Sequence, residues 1–271
     1  MTRIVTVILS IFVFGTAQAQ DRFITLSSTT STQDSGLFGY VLPIFKAATG
    51  LSVHVIAVGT GQALAIGRRG DADALLVHDR PGEDKFVAEG YGIDRRDVMY
   101  NDFVIVGPSA DPAGIRDLKD ARKAFAQIAT VKAPFVSRGD DSGTNRMELR
   151  LWRSAGIQPD PHSGWYRDLG QGMGPTLNIA AAMSAYTLTD RATWANFKNR
   201  QGLEILTEGD PALFNPYGSI LVNPAKWPYV KIDDARIWHE WLTTKLGRDA
   251  ITSYKINGEE LFFPPRTQSM H

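Results

Sequence analysis

The chain has 271 residues, which is enough for one large domain or two medium ones. Lysine plus arginine number 29, as do aspartate plus glutamate, so the balanced charge gives no reason to expect a nucleic-acid partner. The sequence contains no cysteine, which excludes disulfides, thiolate catalysis and cysteine metal sites.

The first residues have the pattern of an export signal. Arg3 precedes a mostly apolar run, Ile4 to Phe14, which is too short to span a bilayer comfortably. Ala17 and Ala19 place small residues at the two positions that a signal peptidase reads. The sequence therefore predicts a signal peptide over residues 1–19, cleavage after Ala19 and a periplasmic mature protein.

A strand, a hydroxyl-rich loop and a helix are predicted next. Residues 23–26 alternate as a strand does, and an apolar helical pattern begins at Leu37 and closes at Gly50. Hydroxyl side chains between them can cap the helix or donate to an anion, although a plain polar linker is the alternative. The candidates for ligand contact in this run are Ser28, Thr29, Thr30 and Ser31.

A second corner of the same kind follows. The strand from Leu51 to Val58 turns through Gly59-Thr60-Gly61 into a helix, and Thr60 is a further candidate donor. The glycine pair lacks the third glycine of a dinucleotide fingerprint, so that interpretation is weak. His78 ends the next strand, and we interpret it as structural because no second ligand stands at metal spacing.

The third corner carries the strongest signal. The apolar run from Ala133 to Val136 can finish a buried strand, Gly139 permits a turn, and helical spacing runs from Asn145 to Ala155. A helix N-terminus has free N–H groups and a partial positive charge, so it attracts anions.

The residues at this corner supply further donors. Arg138 offers a planar fork that suits an oxyanion, while Ser142 and Thr144 add hydroxyls and Gly143 lets a ligand approach the backbone. Asp140 is placed to hold the guanidinium from behind, in a supporting role. The alternative is a capped helix beside a surface arginine.

The rest of the chain predicts an α/β fold with two lobes and mainly parallel sheets flanked by helices. Two extended apolar runs, Asp97–Pro108 and Tyr217–Val222, are predicted to cross between the lobes, and residues 157–173 are predicted as a loop. Lobe 1 would comprise residues 20–102 plus 218–271, and lobe 2 residues 103–217. The ligand would lie in the cleft between them.

Taken together, these motifs resemble the periplasmic tungstate-binding component of tungstate ABC importers. The motifs are Ser28 to Gly36, Gly59-Thr60-Gly61, Gly70 to His78, Val98 to Pro108 and Ser137 to Thr144. The family's hydroxyl loop usually begins Thr-Thr-Thr-Ser, and Ser28 stands at its first position here, which keeps a hydroxyl. The third corner also resembles the anion site of periplasmic phosphate-binding proteins.

The resemblance implies a type II periplasmic-binding-protein fold, tungstate or molybdate as the ligand, and the membrane permease of an ABC importer as the partner. We also expect a monomer with no cofactor and no metal ligands, the tungstate being bound as an oxyanion. The preference for tungstate over molybdate has no basis in the residues themselves, because the two anions have nearly the same size.

The residues do bear on the charge of the ligand. Phosphate at neutral pH still carries a proton, so a phosphate-selective site needs a carboxylate acceptor, whereas tungstate, molybdate and sulfate need only donors. The candidate residues are donors, which favours a proton-free dianion. A binding protein for phosphate or sulfate remains an alternative.

A hydrolase is the alternative from another class. The sequence has no Gly-x-Ser-x-Gly motif, and no histidine lies near Ser142 in the chain to activate it. We therefore expect a binding protein with no catalytic residues.

Overall fold

The computed structural model describes residues 22–265 of the chain, and the predicted signal peptide with its cleavage site lies outside that range. None of the helices in the described part is long and apolar enough to cross a membrane.

The strands are β1 (Phe23–Thr29), β2 (Ser52–Val58), β3 (Ala74–Val77), β4 (Gly92–Pro108), β5 (Phe135–Ser137), β6 (Tyr166–Asp168), β7 (Thr187–Asp190), β8 (Leu203–Thr207), β9 (Phe214–Val222), β10 (Lys255–Ile256) and β11 (Glu259–Glu260). The α-helices are α1 (Thr30–Asp34), α2 (Leu37–Thr49), α3 (Thr60–Arg69), α4 (Arg80–Ala88), α5 (Ala121–Thr130), α6 (Gly143–Ser154), α7 (Met173–Met183), α8 (Arg191–Asn196), α9 (Ile232–Trp241) and α10 (Lys245–Thr252).

Two long strands connect the lobes. β4 pairs with β9 from Gly92, opposite Val222, to Asp102, opposite Phe214. Beyond Asp102 the same strand pairs with β7 and β8 instead. The predicted crossing runs lie in these two strands, which begin earlier than predicted, at Gly92 and Phe214.

The main sheet is mixed. It has seven strands in the order β2-β1-β3-β9-β4-β7, with β8 also paired to β4. β1 runs parallel to β2 and β3, whereas β9 runs antiparallel to both of its neighbours, and β7 and β8 run antiparallel to β4. The predicted two-lobed α/β class is confirmed. The sheets are not mainly parallel, however, because β9 returns between the lobes in the direction opposite to β4.

Each lobe has its own hydrophobic core. In lobe 1 the indoles of Trp238 and Trp241 both pack edge-on against Phe45, with ring centroids 5.0 and 5.2 Å away, as part of a buried cluster. In lobe 2 Phe125 packs against Trp152 at 4.3 Å in a separate cluster. The aromatic rings thus pack α2 against α9 in lobe 1 and α5 against α6 in lobe 2.

Two stretches differ from the sequence prediction. Thr30–Asp34, predicted as loop, forms the short helix α1, because Thr29 Oγ1 accepts from the Thr32 N–H at 3.3 Å and caps it. The predicted loop over residues 157–173 contains β6, which is held by parallel pairing with β5. Three residues are too few to show an alternating pattern, so β6 has no signal of its own in the sequence.

Candidate functional site

Helix N-termini from both lobes meet between the lobes. In lobe 1, β2 turns into α3, whose first residue is Thr60. In lobe 2, the chain leaves β5, turns through residues 138–141 and enters α6 after Ser142. The Gly143 N–H donates to Thr60 Oγ1 at 2.7 Å, so the two helix starts are in contact. The positive ends of both helix dipoles therefore lie at one place.

The side chain of Arg138 is buried in this region, with 1% of its surface exposed. Its Nη1 donates to Ser31 Oγ at 2.8 Å and its Nη2 to Thr30 Oγ1 at 3.0 Å, so it reaches across to lobe 1. Nη2 also donates to Asp140 Oδ2 at 2.6 Å, which is the pairing that the sequence predicts. Nε is buried and has no hydrogen-bond partner among residues 22–265.

These contacts determine which N–H donors of Arg138 remain available to a ligand. Both Nη atoms of Arg138 donate to protein groups, and these contacts use three of the four N–H bonds of the outer fork proposed from the sequence. Nε is the guanidinium nitrogen that has no partner at all within the described residues, and a buried donor without an acceptor is costly unless a ligand supplies one. Thr30 and Ser31 accept from Arg138, so their own hydroxyl hydrogens remain for another acceptor.

The turn that carries Arg138 depends on a glycine. Gly139 has a φ of +59°, and a Cβ there would lie 1.3 Å from Asp168 Oδ1 on β6. The turn closes as Asp140 Oδ1 accepts from the Ser142 N–H at 3.2 Å. Asp140 thus orients the guanidinium with one oxygen and the start of α6 with the other.

The residues that open α6 differ in what they contact. Ser142 Oγ accepts from the Asn145 N–H at 3.1 Å, so its hydroxyl caps the helix. Gly143 lies against His78, and a Cβ on Gly143 would be 2.8 Å from His78 Cε1. Thr144 Oγ1 is buried and has no hydrogen-bond partner in the described part of the chain. It is a second buried donor here that lacks an acceptor.

The hydroxyl run divides into two pairs. Ser28 Oγ donates to the Leu76 carbonyl at 2.6 Å, within lobe 1. Thr29 Oγ1 lies 3.1 Å from His78 Nε2 and 2.8 Å from Thr32 Oγ1. The other two candidates are those that contact the guanidinium. The hydroxyls of the first pair are thus engaged within lobe 1, and their predicted ligand contact stays a prediction.

This division gives a test by substitution. Ser28→Ala is expected to leave oxyanion affinity within about threefold of wild type, because its hydroxyl donates to a carbonyl of the protein. Ser31→Ala removes a hydroxyl against Arg138, and we expect an affinity loss of about fivefold to tenfold, the value of one net hydrogen bond. Calorimetric titration measures both, and equal losses would place Ser28 against the ligand as well.

A buried chain of hydrogen bonds joins this region to the strands that cross between the lobes. Asn215 on β9 donates from Nδ2 to Asn101 Oδ1 on β4 at 2.6 Å. Its Oδ1 lies 3.0 Å from His78 Nδ1, and since an amide oxygen only accepts, this contact assigns the ring proton to Nδ1. Nε2 then accepts from Thr29. Desolvation lowers the pKa of His78 to about 4, so the ring is neutral at neutral pH.

Three carboxylates, those of Asp140, Asp190 and Asp34, interact electrostatically with Arg138. Asp140 is in direct contact with it. Burial raises the pKa of Asp190, while hydrogen bonds from α8 and the guanidinium act against that shift. Burial likewise raises the pKa of Asp34, opposed by the guanidinium and by the Gly174 N–H. Each carboxylate therefore has donors within the protein.

Behind the turn, Glu148 holds three elements together. Its carboxylate accepts from Ser137 Oγ at 2.7 Å, from Trp152 Nε1 at 3.0 Å and from the Tyr166 hydroxyl at 2.9 Å. These donors belong to β5, α6 and β6. Burial raises the pKa of Glu148 to about 7, although the three hydrogen bonds act in the opposite direction.

The raised pKa has a measurable consequence. The pKa of Glu148 is about 7 in the folded protein against 4.5 ordinarily, so the folded state binds the extra proton between those values. This group therefore contributes stability that is present below about pH 4.5 and is lost as pH rises through 7. In Glu148→Gln we expect a smaller fall in melting temperature between roughly pH 5 and pH 8 than in wild type, by thermal unfolding. An identical fall in both proteins would contradict this assignment.

One helix N-terminus at the site, that of α7, is not among the three corners predicted from the sequence. α7 begins at Met173, and Gly172 before it lies so near Thr30 that a Cβ would be 3.9 Å from its hydroxyl. The signal was present, since a glycine-rich stretch, Gly170 to Gly174, precedes an apolar helical pattern as at the other corners. Within residues 22–265 no three His, Asp or Glu side chains are grouped so that they could hold a metal ion.

Known proteins resemble the chain in sequence. A family model described as the PBP superfamily domain matches residues 15–245. The chain is 45% identical over 245 residues to the tungstate-binding protein TupA of Peptoclostridium acidaminophilum, with 89% of this chain and 85% of that protein covered.

Solved structures resemble it as well. One, described as the tungstate ABC transporter from Geobacter sulfurreducens, has a TM-score of 0.78 at 52% identity, with 86% of this chain and 98% of that chain covered. Another, the tungstate-binding protein TupA from Desulfovibrio alaskensis, has a TM-score of 0.76 at 43% identity, with 90% and 99% covered. The likeness extends over both lobes.

Proposed function

The chain belongs to the PBP superfamily and, within it, to the family of the tungstate-binding proteins of ABC transporters, and on that premise we propose that it captures a tetrahedral oxyanion, tungstate or molybdate, for import. The similar proteins are binding proteins of transporters, not enzymes, and the proposal extends this to the present chain, without a cofactor.

One observation carries the proposal. Two buried donors, the Nε–H of Arg138 in the turn before α6 and the hydroxyl of Thr144 in the first turn of α6, lack acceptors among residues 22–265. An anion between the lobes would accept from both of them and would face the positive ends of both helices. The rest of the contact set proposed from the sequence is Ser28, Thr29, Thr30, Ser31, Thr60, Ser142 and Gly143, with Asp140 supporting the guanidinium. Ser28 and Thr29 are its weakest members, since their hydroxyls bond within lobe 1.

The members of that set contribute in different ways. The hydroxyls of Thr30 and Ser31 are polarised by Arg138, which makes them better donors to an anion. Thr60 accepts from Gly143 and so keeps its own hydrogen for the ligand. Ser142 contributes mainly through the helix start that it caps.

The pairing of the nearby carboxylates supports a fully ionised ligand. Asp140 accepts hydrogen bonds from Arg138 and from the Ser142 N–H, and Asp190 accepts hydrogen bonds from Thr193. A monoprotonated phosphate would need a carboxylate free to accept its proton. The choice of tungstate or molybdate over sulfate rests on the family.

The remaining parts of the proposal concern location and partners. The signal peptide would be removed after Ala19, leaving a periplasmic monomer that delivers the anion to a membrane permease. Lobe 1 would comprise residues 20–102 and 218–271, and lobe 2 residues 103–217. Closure of these lobes on the anion would present one liganded shape to the permease.

Calorimetric titration of the chain from Gln20 to His271 tests the proposal. The protein is unfolded and refolded first, which removes any anion carried from expression, and is then titrated with tungstate, molybdate, sulfate and phosphate in turn. We expect tungstate and molybdate to bind far more tightly than the other two. Binding of phosphate alone would overturn the donor-only argument, and binding of none would overturn the proposed function.

A further inference from the structure

A buried carboxylate of lobe 1 is paired entirely with lobe 2. Asp79 follows β3, and 2% of its side chain is exposed. Its Oδ2 accepts from Arg146 Nη1 at 2.7 Å and its Oδ1 from Arg150 Nη1 at 2.9 Å. Residues 146 and 150 lie one turn apart on α6, so both guanidiniums leave the same face of the helix.

One of these arginines also holds the anion turn. Arg146 donates from Nε to Asp141 Oδ1 at 2.7 Å and from Nη2 to Asp141 Oδ2 at 2.8 Å, a bidentate pairing. The Asp141 carbonyl in turn accepts from the Gly61 N–H of lobe 1 at 3.1 Å. The guanidinium of Arg146 therefore connects the turn that carries Arg138 to the carboxylate of Asp79.

The pairing of Asp79 with the two arginines joins the two lobes, so it depends on how the lobes are arranged. Asp79 belongs to lobe 1 and both arginines to α6 of lobe 2, so the hydrogen bonds exist only when the lobes are together. Separation would break these hydrogen bonds and return Asp79 and Arg150 to water, while Arg146 would keep its pairing with Asp141 inside lobe 2. For a buried carboxylate, the removal of one partner is strongly destabilising, because it leaves a buried charge uncompensated.

We propose that Asp79, with Arg146 and Arg150, forms an interlobe clasp that keeps the lobes closed over the bound anion and sets its release rate. The inference rests on the proposed function and names positioning residues that do not touch the ligand. Because the clasp forms after the anion has entered, it acts on dissociation and leaves association nearly unchanged.

The test is the release of radiolabelled tungstate from the full mature chain after addition of excess unlabelled tungstate. Asp79→Asn keeps the shape of the side chain but turns an N–H₂ toward an arginine, and we expect release to be at least about tenfold faster. Arg150→Gln removes one of two partners at a half-exposed position, and we expect release to be about threefold to tenfold faster. Association rates should stay within about twofold of wild type in both.

The matched control is Asp84→Asn, which removes a carboxylate from an exposed pair with Arg80 on α4. Its release rate should equal that of wild type, since exposed pairs of this kind contribute little. Should Asp79→Asn fail to fold, Arg150→Gln decides the question.

The outcomes separate the two proposals. Wild-type release rates in both clasp variants, or a loss confined to association, would overturn the clasp while the proposed function stands. Failure of the wild-type chain to bind tungstate would overturn the proposed function, and the clasp with it. Faster release in the clasp variants, with the control unchanged, supports the clasp.

Discussion

Replacing Arg138 by alanine is expected to lower tungstate affinity by about a thousandfold or more. The guanidinium is buried, and its Nε has no hydrogen-bond partner within residues 22–265, as is also true of the Thr144 hydroxyl. Its removal also leaves Asp140 without its cation and facing the incoming anion. Loss of one partner from a buried ionic arrangement costs about 3–5 kcal/mol, and about 4 kcal/mol corresponds to that factor.

Two further arginine variants sharpen this test. Arg138→Lys keeps the charge but cannot donate to Ser31, Thr30 and Asp140 together, so we expect it to recover only a small part of the affinity. Arg116→Ala removes an arginine of lobe 2 that pairs with Glu204 at the surface, and its affinity should match wild type. Titration calorimetry on all three decides, and near-wild-type binding by Arg138→Ala would refute the site.

The second large effect is expected from Gly143→Ala. A Cβ on Gly143 would lie 2.8 Å from His78 Cε1 and 3.1 Å from the His78 carbonyl, and that backbone atom cannot rotate away. Because His78 lies in lobe 1 and Gly143 in lobe 2, the clash arises only when the lobes come together. Overpacking of this kind costs about 1–3 kcal/mol, so we expect affinity to fall about fivefold to a hundredfold.

The prediction is specific because Gly143→Ala should lower the affinity without lowering the stability of the ligand-free protein. Alanine is a better helix former than glycine, so the melting temperature of the ligand-free protein should not fall, while the affinity does. The matched control is Gly39→Ala in α2, where no atom lies within 4 Å of the added Cβ and affinity should be unchanged. A Gly143→Ala protein that binds as wild type does would show that the lobes do not close as described.

The local parts of the site could be read from the sequence. Strand, turn and helix signals around Thr60 and Ser142 depend on neighbours in the chain, and both corners are in the structure. The pairing of Arg138 with Asp140 spans two residues and was predictable for the same reason. The first two corners come together because β1 and β2 run parallel and place their carboxyl ends, and the helices that follow them, at one edge of lobe 1. The third corner, after β5, joins them only where lobe 2 contacts lobe 1.

The parts that could not be predicted depend on contacts between distant residues. Asp79 lies 67 residues from Arg146 and 71 from Arg150, and nothing in its neighbourhood indicates these partners. His78 could be interpreted as structural, but its link to Asn215, 137 residues away, needs the return of β9 into the sheet. The hydrogen bonds from the Arg138 guanidinium to Thr30 and Ser31 likewise depend on how the lobes meet.

The place of β9 in the sheet has a consequence for the order of folding. β9 lies between β3 and β4, with Ala74 opposite Leu221, although β3 and β4 come more than a hundred residues earlier in the chain. The sheet of lobe 1 therefore keeps a gap until the whole of lobe 2 has been synthesised. Pairings between such distant segments form slowly, because a long loop must close first. We therefore expect lobe 1 to be the last part of the newly made chain to complete its fold, after β9 has been synthesised.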